Sequence, residues 1–86
     1  MKKVPYKLIF LNKPTEEGEA DEICIRDKAS TYVILPSHGP LAGTLSAGAV
    51  SIKTESGKKE HNYLDGFVIC REGRCEIALL KTGKDS

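Results

Sequence analysis

Phe67-Val68-Ile69-Cys70-Arg71-Glu72-Gly73-Arg74-Cys75-Glu76-Ile77-Ala78-Leu79-Leu80 is the stretch whose reading decides the fold. Two apolar runs, Phe67–Arg71 and Arg74–Leu80, flank two residues that end in glycine, which is a β-hairpin signal. A two-residue turn at Glu72-Gly73 pairs Arg71 with Arg74. Cys70 then stands opposite Cys75 in a non-hydrogen-bonded pair.

The same punctuation runs outward from the hairpin. Eight glycines and four prolines cut the chain into short segments, as in all-β domains. Val4–Leu11 is rich in aromatic and β-branched residues, and Pro5 suits an edge strand or a strand beginning. Asn12-Lys13-Pro14-Thr15 is a loop. Glu22–Arg26 alternates with period two, Thr31–Leu35 is short and β-branched, and Gly48–Lys53 places Val50 and Ile52 on one face. Ser56-Gly57 is a turn before Glu60–Leu64. Glu19–Arg26 is the best helical candidate, but its next face position is Asp27, and no window sustains helical spacing. Seven or more short strands bury their inward faces best as two packed sheets or a flattened barrel. The expectation is an all-β sandwich of two antiparallel sheets, flattened-barrel-like. It forms one domain over 1–86, with its core in 4–80 and a polar tail in 81–86.

Composition removes several function classes. The chain has 86 residues, 40% hydrophobic and 29% charged, the balance of a globular domain rather than a disordered one. Thirteen basic against twelve acidic residues leave a net charge of +1, with no electrostatic footprint for nucleic acid. No apolar run approaches the ~20 residues of a membrane-spanning helix. Met1-Lys2-Lys3 is not followed by a cleavage site, so no signal peptide is expected. Three cysteines without an export signal are expected as reduced thiols.

Local chemistry is sparse. Cys70 and Cys75 share a face with Val68 and Ile77 and read as small core residues, although their placement permits a cross-strand disulfide or two metal ligands. Cys24, His38 and His61 are too few and too scattered for a zinc site. His38 and His61 have no nucleophile-elbow context, and His61 alternates within a polar strand as a surface residue. Gly57-Lys58 lacks the rest of a phosphate loop. No catalytic residue, metal ligand or cofactor is expected.

Leu35-Pro36-Ser37-His38-Gly39-Pro40-Leu41 is the most unusual segment. Neither proline can donate to a ladder, so the segment is a rigid connection. It is either a stiff contact surface or a plain crossover between sheets. This segment resembles the Leu/Tyr-Pro-Gly-His-Ala-Pro-Leu segment of the epsilon subunit of F-type ATP synthase. Further resemblances are collinear. Gly18-Glu19-Ala20 is similar to the family's Gly-Glu-Val, and Leu45-Ser46-Ala47-Gly48-Ala49-Val50-Ser51-Ile52 to its Leu-x-Pro-Gly-x-Val-x-Ile. Tyr63-Leu64-Asp65-Gly66-Phe67-Val68 is similar to its Ser-Gly-Gly-Phe-Val, and Cys75–Leu79 falls on its closing strand. The resemblance covers about residues 5 to 80. It implies the family's amino-terminal sandwich of two five-stranded sheets.

The departures are specific. Ser30-Thr31-Tyr32-Val33 stands where relatives have an acidic Gly-Glu-Leu-Gly turn thought to touch the membrane ring. Ser37 replaces a glycine, Ala47 a proline, and Asp65 the first glycine of a pair. Relatives continue into an inhibitory helical hairpin, which the sequence ending at Ser86 does not contain. Two readings fit, a naturally short subunit or a chain cut at the domain edge, and the polar tail tilts the expectation slightly towards the first. The resemblance implies a non-catalytic central-stalk subunit at the cytoplasmic face of the membrane, monomeric outside its complex. Its partners would be the shaft (gamma) subunit and the membrane rotor ring. The expected partner interface is Thr31, Tyr32, Pro36, Ser37, His38, Pro40 and Leu41, with Tyr32 and Leu41 supplying apolar area. The alternatives are a stand-alone interaction or carbohydrate-binding module, which needs a platform of exposed rings, and a small enzyme using Cys and His.

Overall fold

The computed structural model describes residues 2–11, 13–37 and 39–80. Seven strands follow one another: β1 Val4–Phe10, β2 Glu16–Ala20, β3 Glu22–Arg26, β4 Thr31–Ile34, β5 Leu41–Thr54, β6 Gly57–Arg71 and β7 Arg74–Leu80. All seven join one hydrogen-bonded sheet in the order β2-β1-β7-β6-β5-β3-β4. The all-β class is as expected, and Glu19–Arg26 contains no helix.

Two features of the expected sandwich differ. The sheet is mixed, because β1 runs parallel to β7. Tight turns make sequential strands antiparallel. The first and last strands have no such turn between them, and they meet side by side in the same direction. Nor are there two separate sheets. β5 and β6 pair from Leu41↔Cys70 to Thr54↔Gly57, skipping only Ala47 and Leu64, and serve both halves of the curled sheet. The segments Gly48–Lys53, Glu60–Leu64 and Phe67–Arg71 are parts of these two long strands.

The curl is visible in which residues point inward. A straight strand keeps one parity on each face. On β5 the buried positions change from Leu45 to Val50 and Ile52; on β6 they change from Tyr63 to Val68 and Cys70. Both switches fall where Ala47 and Leu64 lie opposite each other. Ala47 takes the left-handed conformation, with φ of 49°. The two halves then face each other across one core, built on Leu8, Ile23, Ile25, Ile34, Val50, Ile52, Val68 and Ile77.

Ala47 stands where the resembling family carries proline. A proline, held near −65°, cannot adopt this φ, so this chain makes the bend with another backbone. Left-handed backbone costs an alanine ~1–2 kcal/mol. Ala47→Gly is therefore expected to stabilise the domain by about 0.5–1 kcal/mol. Thermal unfolding would show this as a midpoint raised by a few degrees, and a lowered midpoint would contradict the strain argument.

Glycine is required at the bend in two places. A Cβ on Gly48 would lie 2.1 Å from the Arg26 carbonyl oxygen and 2.7 Å from the Tyr63 hydroxyl. A Cβ on Gly66 would lie 2.2 Å from the Ala78 carbonyl oxygen. Both glycines let a neighbouring strand come close as the sheet turns. Pro5 is the second residue of β1, an interior strand. Pairing with β7 begins only at Tyr6, so the missing N–H breaks no rung there.

Candidate functional site

The sequence-derived interface is strung along β4, an edge strand, and the connection after it. Thr31 is exposed and pairs with Arg26 at one end of the strand. Tyr32 is half-buried against the core, as is Leu41, which pairs with Cys70 at the start of β5. Pro36 is half-buried beside the β6–β7 hairpin, while Ser37 and Pro40 are exposed. His38 lies outside the described residues. Part of the apolar area expected from Tyr32 and Leu41 is thus already used inside the domain.

The hairpin has the expected register: Arg71 faces Arg74, Cys70 faces Cys75, and Glu72 and Gly73 take positive φ as a two-residue turn requires. Cys70 and Cys75 are 5% and 2% exposed, as expected for core residues, but they are joined by a disulfide. Reduced thiols were the expectation. The non-hydrogen-bonded register brings the opposed side chains close enough to bond. The bond removes two of the three thiols from ligand or nucleophile chemistry, leaving Cys24. Among the described residues no cluster of three or more His, Cys, Asp or Glu could hold a metal. His61 is not a solvated surface residue. It faces inward, with its ring 5.3 Å from that of Phe10.

A polar knot fixes the bend. The Asp27 carboxylate accepts from the Ser46 N–H at 2.6 Å, the Tyr63 hydroxyl at 2.8 Å and the Ala29 N–H at 3.3 Å. Ser46 precedes Ala47, and Tyr63 lies opposite Gly48. The Ser46 N–H above all holds the Asp27 carboxyl below the ordinary carboxylate range. Burial, and then the bond to Asp27, push the Tyr63 hydroxyl upward. A depressed carboxyl adds stability above its unfolded value near pH ~4, and that stability is lost as pH falls through the folded value. Asp27→Asn is expected to cost about 1–2 kcal/mol at pH 7. The variant should also lose the part of the acid sensitivity below pH ~4 that this group supplies. Urea unfolding at pH 7 and pH 3 tests both; an unchanged gap between the two pH values would refute the assignment.

The two outer faces differ in chemistry. Over β3, β5 and the start of β6 lies a groove of about 410 Å³ lined by Glu22, Arg26, Lys53 and Lys58 among others. Arg26 pairs there with Glu60, whose carboxylate also accepts from the buried Ser51 hydroxyl at 3.2 Å. The outer face of β1, β7 and the end of β6 carries one apolar row. Ile9, Ala78 and Phe67 form it across three strands; in the adjoining rows Ile69 stands with Glu76 and Lys7, and Leu80 stands opposite Asp65. Phe67 is 47% exposed, and Leu11, just beyond β1, is 77% exposed. A groove of about 380 Å³ runs between Ile9, Leu11, Gly66, Ala78 and Leu80. An exposed apolar row of this kind is a candidate interaction surface.

Sequence reasoning missed this face. Both rows of Phe67–Arg71 are apolar, so the pattern that puts Cys70, Cys75, Val68 and Ile77 on one face does not show that the other row lies exposed. Tyr6 and Tyr32 are half-buried, Phe10 and Tyr63 are buried, and only Phe67 of the five aromatic rings is exposed. One ring makes no platform for sugars. Among the described residues no helix is long and apolar enough to cross a membrane.

No protein-family model matches the chain, and no curated protein matches it. Solved structures do. A chain in the structure of the Euglena gracilis mitochondrial ATP synthase (OSCP/F1/c-ring, rotational state 1) superimposes with a TM-score of 0.80 at 18% identity. The match covers 92% of this chain and 51% of that one. A chain in the structure of the Tetrahymena thermophila mitochondrial ATP synthase central stalk and c-ring gives 0.73 at 19% identity, covering 94% of this chain and 67% of that one. This chain therefore spans about half the length of the first neighbour and two thirds of the second. At these identities the likeness is one of fold: the curled β-domain described above is a fold found in chains of rotary ATP synthase assemblies.

Proposed function

We propose that this chain is an epsilon-type, non-catalytic central-stalk subunit of a rotary F-type ATP synthase. It links the membrane rotor ring to the shaft (gamma) subunit and sits peripherally on the membrane. Outside the complex it is a monomer. The observation that carries the reading is the fold likeness over nearly the whole chain to chains of ATP synthase assemblies. Collinear sequence motifs with the same family support it independently. The exposed face of Ile9, Phe67, Ile69 and Leu80 supplies what a stalk subunit needs, an apolar surface to be covered by a partner.

The role is mechanical. Torque passes between ring and shaft only if the linking domain does not deform, and a close-packed β core resists deformation. The β1–β7–β6 face binds the shaft. The segment carrying Thr31, Tyr32, Pro36, Ser37, His38, Pro40 and Leu41 is a second contact surface, with Pro36 beside the β6–β7 hairpin. A contact of ordinary size, ~800 Å² per partner, takes a large share of so small a surface. The test is co-expression with the shaft subunit of the same organism, followed by size-exclusion chromatography. A stable one-to-one complex is expected. A folded domain that elutes alone would overturn the stalk assignment. His38→Asp is expected to weaken the complex while leaving thermal unfolding unchanged, because it puts a charge into the loop contact.

A further inference from the structure

One side-chain contact bridges two strands of the curled sheet that share no backbone bonds. β2 is an edge strand whose ladder partner is β1, and its far end is held where the Asp21 N–H donates to the Lys53 carbonyl of β5 at 2.8 Å. Its inward row is Glu16, Gly18 and Ala20, opposite Leu8, Tyr6 and Val4. Only Ala20 is a buried apolar anchor, so the first half of β2 gains little from burial. Across the core, the Oε1 atom of Glu16 lies 3.6 Å from Nε2 of His61 on β6, and both atoms are shielded from solvent. The Phe10 ring packs on the imidazole from β1.

We infer that Glu16 and His61 form a pH-operated latch that fastens the edge strand β2 across the core to β6. Histidine changes charge between about pH 5 and 8, the one ordinary side chain that does so. A protonated His61 beside the Glu16 carboxylate is an ion pair whose facing atoms are shielded from water, although 36% of the Glu16 side chain is exposed and the attraction is partly screened. A neutral imidazole keeps at most a hydrogen bond. The carboxylate at 3.6 Å favours the protonated imidazole against the cost of burying it, so the latch fastens when His61 is protonated and releases as pH rises. Several described groups flank the imidazole. Phe10 from β1 and Val50, paired with His61 from β5, are uncharged. On β6 itself, Tyr63 is neutral in this range and Lys59 is an exposed cation. Lys13, in the β1–β2 connection, lies 5.4 Å from the centre of the Phe10 ring. The exposed Glu17 and Glu19 are on the outer row of β2. The inference stands on the fold alone and does not depend on the stalk reading.

Amide hydrogen exchange of the whole chain at pH 6 and pH 8, corrected for intrinsic rates, tests the latch. Protection at Glu16–Gly18 is expected to fall about fivefold or more from pH 6 to pH 8, while the central β5–β6 ladder keeps its protection. Glu16→Gln and His61→Gln should each make β2 protection equal at the two pH values. Thermal unfolding midpoints show whether each variant is folded, and Glu16, half-exposed, is the safer of the two. Wild-type β2 protection that is flat or rises with pH would overturn the inference. So would a Glu16→Gln variant that keeps the wild-type dependence.

Discussion

Gly48→Ala is expected to leave the domain largely unfolded at room temperature. The added Cβ would sit 2.1 Å from the Arg26 carbonyl oxygen, an atom held by the β3–β5 ladder, and 2.7 Å from the Tyr63 hydroxyl. Neither can give way cheaply. Moving the carbonyl breaks pairing between Arg26 and Ala49, and moving Tyr63 breaks its bond to Asp27. A clash against backbone together with a broken buried bond belongs to the small class of substitutions costing ~4 kcal/mol or more. A domain of this size has about 4–13 kcal/mol in total. Gly66→Ala is expected to behave alike, since its Cβ would meet the Ala78 carbonyl oxygen at 2.2 Å. Gly43→Ala is the control: it lies on the same β5 strand with nothing within 4 Å of the added carbon. Circular dichroism with thermal unfolding separates the three. A folded Gly48→Ala variant with a midpoint near wild type would mean that β3 and β5 are not in contact at the bend.

These glycines also show how far the sequence could be read. Spacing of Gly and Pro, hairpin chemistry and period-two alternation led to an all-β domain, and the Cys70–Cys75 register followed from two turn residues. The length of β5 and β6 did not. Gly48 and Gly66 read as breakers between short strands, whereas they sit inside long strands at the point where these turn over the core. A glycine that ends a strand and one that lets a neighbour approach have the same letter, and only the partner strand distinguishes them. β2 was illegible for another reason. Glu16-Glu17-Gly18-Glu19-Ala20 has poor strand propensity, and its pairing with β1 overrides that preference. The candidate loop stands out in the sequence because its two prolines cannot donate to a ladder. The outer residues Phe67, Ile69 and Ala78 do not stand out, because they are as apolar as the inner residues between which they lie.

That outer face sets the second large effect. Phe67→Asp is expected to weaken the complex with the shaft subunit at least ~30-fold, the loss typical of an aromatic anchor at the centre of an interface. Phe67 is the exposed ring among the five, and it stands in one row with Ala78 and Ile9, with Ile69 beside it. Covering this row removes apolar surface from water, at about 25 cal/mol per Å². An aspartate there must shed its hydration against an apolar partner with nothing to pair with. The fold should be indifferent. The side chain points away from the core, and Phe67↔Ala78 and Thr44↔Phe67 keep their backbone pairing whatever the side chain. The unfolding midpoint should therefore move by only a few degrees. Lys53→Glu, on the polar face across the molecule, should leave the affinity within about twofold, as rim or solvent charges do. The contrast with His38→Asp then separates the two candidate surfaces. A Phe67→Asp loss much larger than the His38→Asp loss makes the sheet face the seat of binding and the loop its border. The reverse order would make the proline-braced loop the anchor and leave the apolar face to another partner. Unchanged affinity in a folded Phe67→Asp protein would remove the face from the interface altogether.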